Sequence, residues 1–313
     1  VTHHRRPIIL PQDVFGLAIT KTGAGANLMG YYMFHGGINA IGKLSTLQES
    51  KATKYPNDYP IINYDFQSPI GQWGDIKPSY NYFKLFHSFL NNYGEQLATC
   101  YTYFPENKVK NKADSTHLRW AVRAKNGSGF IFINQFQRQL NIKDVEQVQF
   151  NIQTKENAIL KVPEVPITIS ANTQFIVPFN LKLGEVNLVY ATAQPFYIHE
   201  SKKTTYFFYA DDKIAAEYVV DSKNIVSIKS SNAVLEKRAS TYKINSIKAG
   251  LDAMIDIQLN NGKSISIITL THQQALNAWN FTINRKEYFV ISNAQLICDS
   301  KNIFLQTLDQ PNI

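Results

Sequence analysis

Residues 11–22, PQDVFGLAITKT, carry the first amphipathic pattern in the chain and predict a helix. Pro11 suits the first helical position, where its missing N–H costs nothing, and Asp13 falls in the first turn, where the helix dipole favours an acid. Gly23 and Gly25 stop the pattern. Residues 26–34, ANLMGYYMF, follow as an apolar run without a charge, the pattern of a strand buried on both faces. A long segment from His35 to Lys77 is then broken repeatedly by glycine and proline, and its many aromatic residues favour an ordered, functional loop. A second helix is predicted from Ser79 to Ala98. Ser79 follows Pro78 and can cap it, and Tyr82, Phe86, Phe89, Tyr93 and Leu97 recur at three- and four-residue steps as a core-facing stripe. Gly94 marks a point where this helix frays or ends early. Helix, buried strand, long loop and helix together make one and a half units of an α/β barrel.

After Cys100 the texture changes to short aromatic or alternating runs separated by turn residues, among them HLRWAVRA, GFIFINQF, VQFNIQT, PITISA, QFIVPFNL and NLVYATAQ. These predict an all-β domain. From about Lys202 a second series begins with TTYFFYA, IAAEYVV, NIVSIKS and STYKINSI, and Asn261-Gly262 inside MIDIQLNNGKSISIITL is a hairpin signal. The expected fold class is therefore multidomain, α/β plus all-β. Residues 1–99 form the C-terminal end of a (β/α)8 barrel, 100–200 a β accessory domain and 201–313 a second β domain, both of β-sandwich type.

Composition adds limits. With 313 residues, 44% hydrophobic and 18% charged, the chain can bury two or three real cores and is not a disordered sequence. The formal charge of +8 raises the question of an anionic partner. The lysines are scattered along strand-like segments without a block of like charge, so they read as solvated strand faces, and no nucleic-acid-binding signature accompanies them. Cys100 and Cys298 are too few and too far apart for a disulfide framework or a zinc site. His3 and His4 are adjacent without further ligand spacing, so no metal is expected, and nothing calls for a cofactor. No apolar run reaches the roughly 18 residues of a membrane span. No signal peptide is read at the N-terminal end, but the chain begins at Val1 rather than Met, which leaves room for an upstream segment.

Several of these segments carry a family likeness. GANLMGYYMFHGGIN at 25–39 is similar to the last barrel strand of glycoside hydrolase family 35, the β-galactosidase family, and YDFQSPIGQWG at 64–74 resembles the segment that follows it. YFKLFHSF resembles the helix that closes the barrel. HRRP at 4–7 and LQES at 47–50 resemble a bacterial branch of the family. GFIFINQFQR and VPFNLKLGEVNLVYATAQP resemble its accessory β domain. Ile38 stands where the family has Thr.

The resemblance implies a retaining glycosidase that removes terminal β-galactosyl residues from a galactoside or polysaccharide, with secretion or periplasmic export favoured. Retaining chemistry uses two carboxyl groups about 5 Å apart. In the family both glutamates lie on earlier barrel strands, so no catalytic residue is expected in this chain. Glu49, Asp58, Asp65 and Asp75 lie on the loop at the right barrel face, but loop acids usually form turns, and Asp65 is expected to order its own loop by a side-chain hydrogen bond.

What remains is a substrate-facing rim. Tyr32 matches the family's sugar-contacting tyrosine, with a core tyrosine as the alternative, and Tyr31 should point the opposite way. His35 is a sugar contact or a loop anchor. Tyr64 and Trp73 offer faces on which a sugar can stack, or pack locally. Gly36-Gly37 are read as allowing an unusual backbone turn. A barrel cannot close from one strand, so the 26–34 strand should pair with barrel residues outside this sequence, supplied by a missing segment or by another chain, or the fold should be rebuilt. The alternative function is a non-catalytic carbohydrate-binding or structural β module.

Overall fold

A computed structural model of the chain describes residues 8–40, 43, 54, 63–153 and 158–307. His3, His4, Glu49, Asp58 and the HRRP and LQES segments lie outside the described residues. Most of the structure is β-sheet, as the run pattern after Cys100 predicts. An eight-stranded antiparallel sheet runs in the order Val234–Lys237, Thr241–Asn245, Tyr218–Asp221, Val186–Ala191, Thr173–Leu183, Ser128–Gln135, Trp120–Lys125 and Tyr101–Tyr103. A five-stranded sheet runs Gln194–His199, Thr204–Tyr209, Ser264–Leu270, Met254–Leu259 and Ile225–Ser230, with one parallel pairing, between Thr204–Tyr209 and Ser264–Leu270. Strands from both sides of residue 200 enter both sheets. The Asn261-Gly262 signal forms the hairpin between Met254–Leu259 and Ser264–Leu270, with Gly262 at φ 83°.

The strand Ser128–Gln135 shows how the core is built. Its alternation sends Phe130 and Phe132 to one face and Ile131 and Ile133 to the other, and all four are buried. The phenylalanines meet the helices: Phe130 sits edge-on to Phe89 at 5.3 Å between ring centroids. The isoleucines join Phe175, Val177, Phe179 and Tyr190 in a second core, closed by the ribbon Val145–Gln153/Ile159–Ile169 through Phe150 and Val162.

Helix α1 spans Pro11–Gly23 and α2 spans Pro78–Ala98. Asp13 closes the start of α1 by accepting from the Leu10 amide at 2.8 Å. The predicted stripe of α2 is the buried one: Phe86, Phe89, Tyr93 and Leu97 are all inside. Two details differ from expectation. Ser79 lies within the helix and the N-cap position is Lys77, which makes no side-chain cap, because Pro78 occupies the first helical position. Gly94 does not end the helix, since Tyr93 and Leu97 on either side are held in the core.

The strand expected over 26–34 is not formed. The segment is irregular and turns at Tyr32 and Met33, and Leu28 is 92% exposed. A strand buried on both faces needs a hydrogen-bonded neighbour at each edge, and among the described residues none runs beside it. Met29, Tyr31 and Phe34 instead lay their side chains on the helical core.

Arg123, from the strand Trp120–Lys125, fastens the helices to the large sheet. It is 1% exposed. One terminal nitrogen donates to the Thr22 carbonyl at 3.0 Å. The other donates to the Leu97 carbonyl at 2.7 Å and to Asn27 Oδ1 at 2.8 Å. Thr22 and Leu97 are in the last turns of α1 and α2, where the dipoles favour a cation; each carbonyl also accepts a backbone amide, from Gly25 at 3.1 Å and Cys100 at 3.0 Å. Arg138 adds a second link, an ion pair to Asp13 at 3.1 Å. On the other side α2 is held to the small sheet by Ser88 Oγ donating to the Phe196 carbonyl at 3.0 Å and Asn92 Oδ1 accepting from the Ile198 amide at 3.0 Å.

Arg123→Ala removes these guanidinium bonds and leaves a cavity, so it should cost about 2–5 kcal/mol in urea unfolding. Arg123→Lys should recover less than half of that loss, because an ammonium lacks the planar fork. A loss below about 1 kcal/mol for the alanine variant would contradict this role.

Candidate functional site

Tyr31 and Tyr32 point to opposite sides, as expected, but at a turn and not by strand alternation. Tyr31 turns onto α2, its ring 4.4 Å from Phe83 and its hydroxyl 2.9 Å from His87 Nε2. Burial pushes its pKa up to about 12 and that of His87 down, so both rest neutral at physiological pH. Tyr32 turns outward and is 78% exposed.

Outside, Tyr32 meets Tyr64 hydroxyl to hydroxyl. Their rings stand nearly perpendicular at 6.4 Å, and Phe66 packs edge-on against Tyr64 at 4.7 Å. Tyr64 is brought there by a two-residue ribbon, Gly37–Ile38 paired with Asn63–Tyr64. His35 and Trp73 lie on the same two chain segments with exposed side chains. The backbone at His35 bridges to Ile70, flanked by Gly36 N donating to the Ile70 carbonyl at 2.7 Å and Ile70 N donating to the Phe34 carbonyl at 3.0 Å. The His35 ring nitrogen faces the Gly36 carbonyl. Beside Tyr32 opens a groove of about 530 Å³ walled by Leu17, Met29, Phe66 and Phe83, with Asp13 and Lys21 at its edge.

Asp65 organises the loop. Its carboxylate accepts from the Gln72 amide at 3.0 Å and forms an ion pair with Lys77. Burial alone would raise its pKa, but the Lys77 ammonium and the Gln72 and Gln67 amides outweigh this and hold it below the usual carboxylate range. The glycine next to His35 serves this acid. A Cβ on Gly36 would stand 2.7 Å from both Asp65 Oδ1 and the Gln72 nitrogen, so its contribution is close approach rather than the unusual turn expected of the Gly36-Gly37 pair. The loop is also tied to the C-terminal ribbons: Gln295 Nε2 donates to the Ile76 carbonyl at 3.3 Å, and Ile76 and Tyr80 pack on Trp279 and Leu296.

Sequence reasoning missed a second polar cluster. Where α1, α2 and the short helix α3, His272–Leu276, meet the sheets, Asp211, Asp212, His272 and Tyr82 line a cleft of about 200 Å³. His272 stacks on Tyr209 at 5.5 Å. Burial lowers the pKa of His272 against the opposing pull of Asp211 and Asp212, and burial raises that of Asp211. The Asp-Asp pair after an aromatic run was the available signal. Among the described residues, no group of three or more His, Cys, Asp and Glu side chains has the arrangement to hold a metal ion. Cys100 and Cys298 are both free.

The Asp65 anchor should show in acid. A folded pKa below the unfolded value means the stabilisation is complete above the ordinary carboxylate range near 4 and is lost as pH falls through the depressed folded value. The Gln72 amide resonance should therefore stay constant from neutrality to about pH 4 and move only below it, and Lys77→Met should shift that movement upward. An unchanged midpoint in the variant would show that the ion pair does not set it.

No curated protein matches the chain. Residues 102–281, which contain the core of both sheets, match the family described as Beta-galactosidase, domain 2. That match covers more than half of the sequence. The chain belongs to this family and is part of a β-galactosidase-like, glycoside hydrolase-like protein.

Proposed function

We propose that the chain is the C-terminal part of a family 35 glycoside hydrolase that removes terminal β-galactosyl residues with retention, the two catalytic glutamates being carried by barrel residues outside this sequence. The observation that supports this most is the exposed Tyr32–Tyr64 pair, two hydroxyls held together beside an open groove, on a chain whose β domain is of the β-galactosidase type. Phenolic hydroxyls that are solvent-facing yet fixed in position can hydrogen-bond a sugar hydroxyl or a neighbouring carboxylate. In this reading Tyr32 contacts the galactosyl group or the nucleophile, Tyr64 orients Tyr32 and offers a stacking face, and His35 and Trp73 complete the rim.

The same reading explains the apolar surface around the groove. Leu17 on α1 is 55% exposed, close to Met29 and Phe66. An exposed apolar stripe of this kind marks a contact surface. The remainder of the barrel covers it.

This chain alone should give no turnover of nitrophenyl β-galactoside, and robust turnover would contradict the placement of the acids. In a polypeptide that includes the barrel, Tyr32→Phe should lower kcat/KM by about tenfold to a hundredfold, the cost of one hydrogen bond to a charged group. Wild-type kinetics in that variant would remove Tyr32 from the site.

A further inference from the structure

Two grooves on the large sheet are untouched by the rim and its loop. Both lie at its outer edge, where Tyr101–Tyr103 is the last strand. One, of about 500 Å³, runs between α1 and the segment after that strand, and the other, of about 560 Å³, runs between the strand Trp120–Lys125 and the ribbon strand Val145–Gln153. They share Phe104 and Trp120 in their walls and flank the outer edge from its two faces, the first with Ala121 and Phe132 on the α1 face and the second with Val122 and Phe179 on the ribbon face, a track of two grooves.

The walls are aromatic. Phe104 is 49% exposed, and Tyr103 stands beside it. Trp120 is fixed by edge-on packing against Phe150 at 5.0 Å. Rigid aromatic faces on a groove floor suit the C–H face of a pyranose ring, and the side-chain amides of Asn126 and Asn151 supply donors and acceptors for hydroxyls.

Among the described residues the charge on this track has one sign: Lys108, Lys112 and Arg119 line the first groove and Lys125 the second, and no described Asp or Glu lines either. Glu106 is on the same loop but is not part of the lining. Lys108 lies over the Phe104 ring at 4.6 Å, which places its ammonium at the aromatic wall. Arg119 also lines the first groove. Its Nη2 is used, donating to the Asp114 carbonyl at 2.5 Å and to Gln137 Oε1 at 3.2 Å, while its Nη1 is shielded from solvent and has no hydrogen-bond partner. The neighbouring Asp114 carboxylate does not answer it, being engaged by the Thr116 amide at 2.9 Å and His117 Nδ1 at 2.6 Å. That nitrogen is closed off from the groove, so Arg119 gives the wall its positive charge and not a hydrogen bond to a ligand.

We infer that this track binds an acidic, galactose-based polysaccharide, its sugar rings on Phe104 and Trp120 and its carboxylate or sulfate groups on Lys108, Lys112 and Lys125. The galactose backbone rests on the proposed function above; the anionic character rests on the track itself. The site would hold the polymer near the rim without performing chemistry.

Affinity electrophoresis of this chain in gels containing polygalacturonate, a sulfated galactan, neutral β-galactan or polyuridylate tests this without any turnover. One or both acidic polysaccharides should retard the chain, and which one does identifies the anionic group. Neutral galactan should retard it at least tenfold more weakly. Lys108→Gln/Lys112→Gln/Lys125→Gln and Phe104→Ala, all at exposed positions, should each weaken retardation at least tenfold with an unchanged melting temperature, and added salt should weaken it in the wild type. No retardation by either acidic polymer would overturn the inference. So would retardation by neutral galactan equal to the acidic polymers, or by polyuridylate with no loss in Phe104→Ala. Binding of an acidic galactan together with an inactive barrel-containing polypeptide would keep the track and remove the hydrolase reading.

Discussion

A buried guanidinium that bridges two helix ends decides how this chain holds together. Arg123 meets the last-turn carbonyls of α1 and α2 and the side chain of Asn27, and every acceptor is a neutral oxygen. Its positive charge is stabilised where two helix dipoles terminate rather than by a buried carboxylate. Arginine suits the position because its planar fork addresses several acceptors at once. The consequence is geometric: the helices that carry the rim are set against the β domain by one side chain, with Arg138–Asp13 and the Ser88 and Asn92 bonds as further fasteners.

From this clamp outward the order of dependence is clear. Fixed helices give Tyr31 a core to enter, through Phe83 and His87. Because Tyr31 is anchored inward, Tyr32 is presented outward to Tyr64. Tyr64 is positioned by a short ribbon whose close approach to the Asp65–Lys77 loop requires Gly36. The loop in turn rests on the C-terminal ribbons through Ile76. The rim is thus supported by residues drawn from nearly the whole length of the chain, although its own side chains come from a few dozen positions.

Much of this was legible in the sequence, and the exceptions have physical reasons. The strands after Cys100, the stripe of α2 and the hairpin at Asn261-Gly262 are local patterns, and they formed. The run ANLMGYYMF did not form the strand expected of it, whereas GFIFINQF is the strand buried on both faces. Absence of charge is shared by both. The difference is that 26–34 has no β-branched residue and contains Gly30, while 129–136 places isoleucines between phenylalanines. Tyr31 and Tyr32 face opposite ways as expected, but through a turn and the Phe83 and His87 contacts of Tyr31, not through the strand the expectation assumed. The Arg123 clamp was not, since its acceptors are backbone carbonyls as far as 101 positions away and carry no sequence mark. The role of Gly36 was missed for a related reason: the atom it makes room for belongs to Asp65, whose position depends on a loop fold.

With the clamp in place, the helices and the β domain should unfold as one cooperative body joined at Arg123. The most direct measurement is urea unfolding followed by two signals at once, helical circular dichroism for α1 and α2 and the fluorescence of Trp120 beside Phe150 in the second core, with Trp73 and Trp279 replaced by Phe. The wild-type Arg123 protein should show coincident transitions in both signals. Separate transitions in that protein, with the helices melting well before the tryptophan signal moves, would contradict the clamp and with it the claim that the rim is held rigidly on this domain.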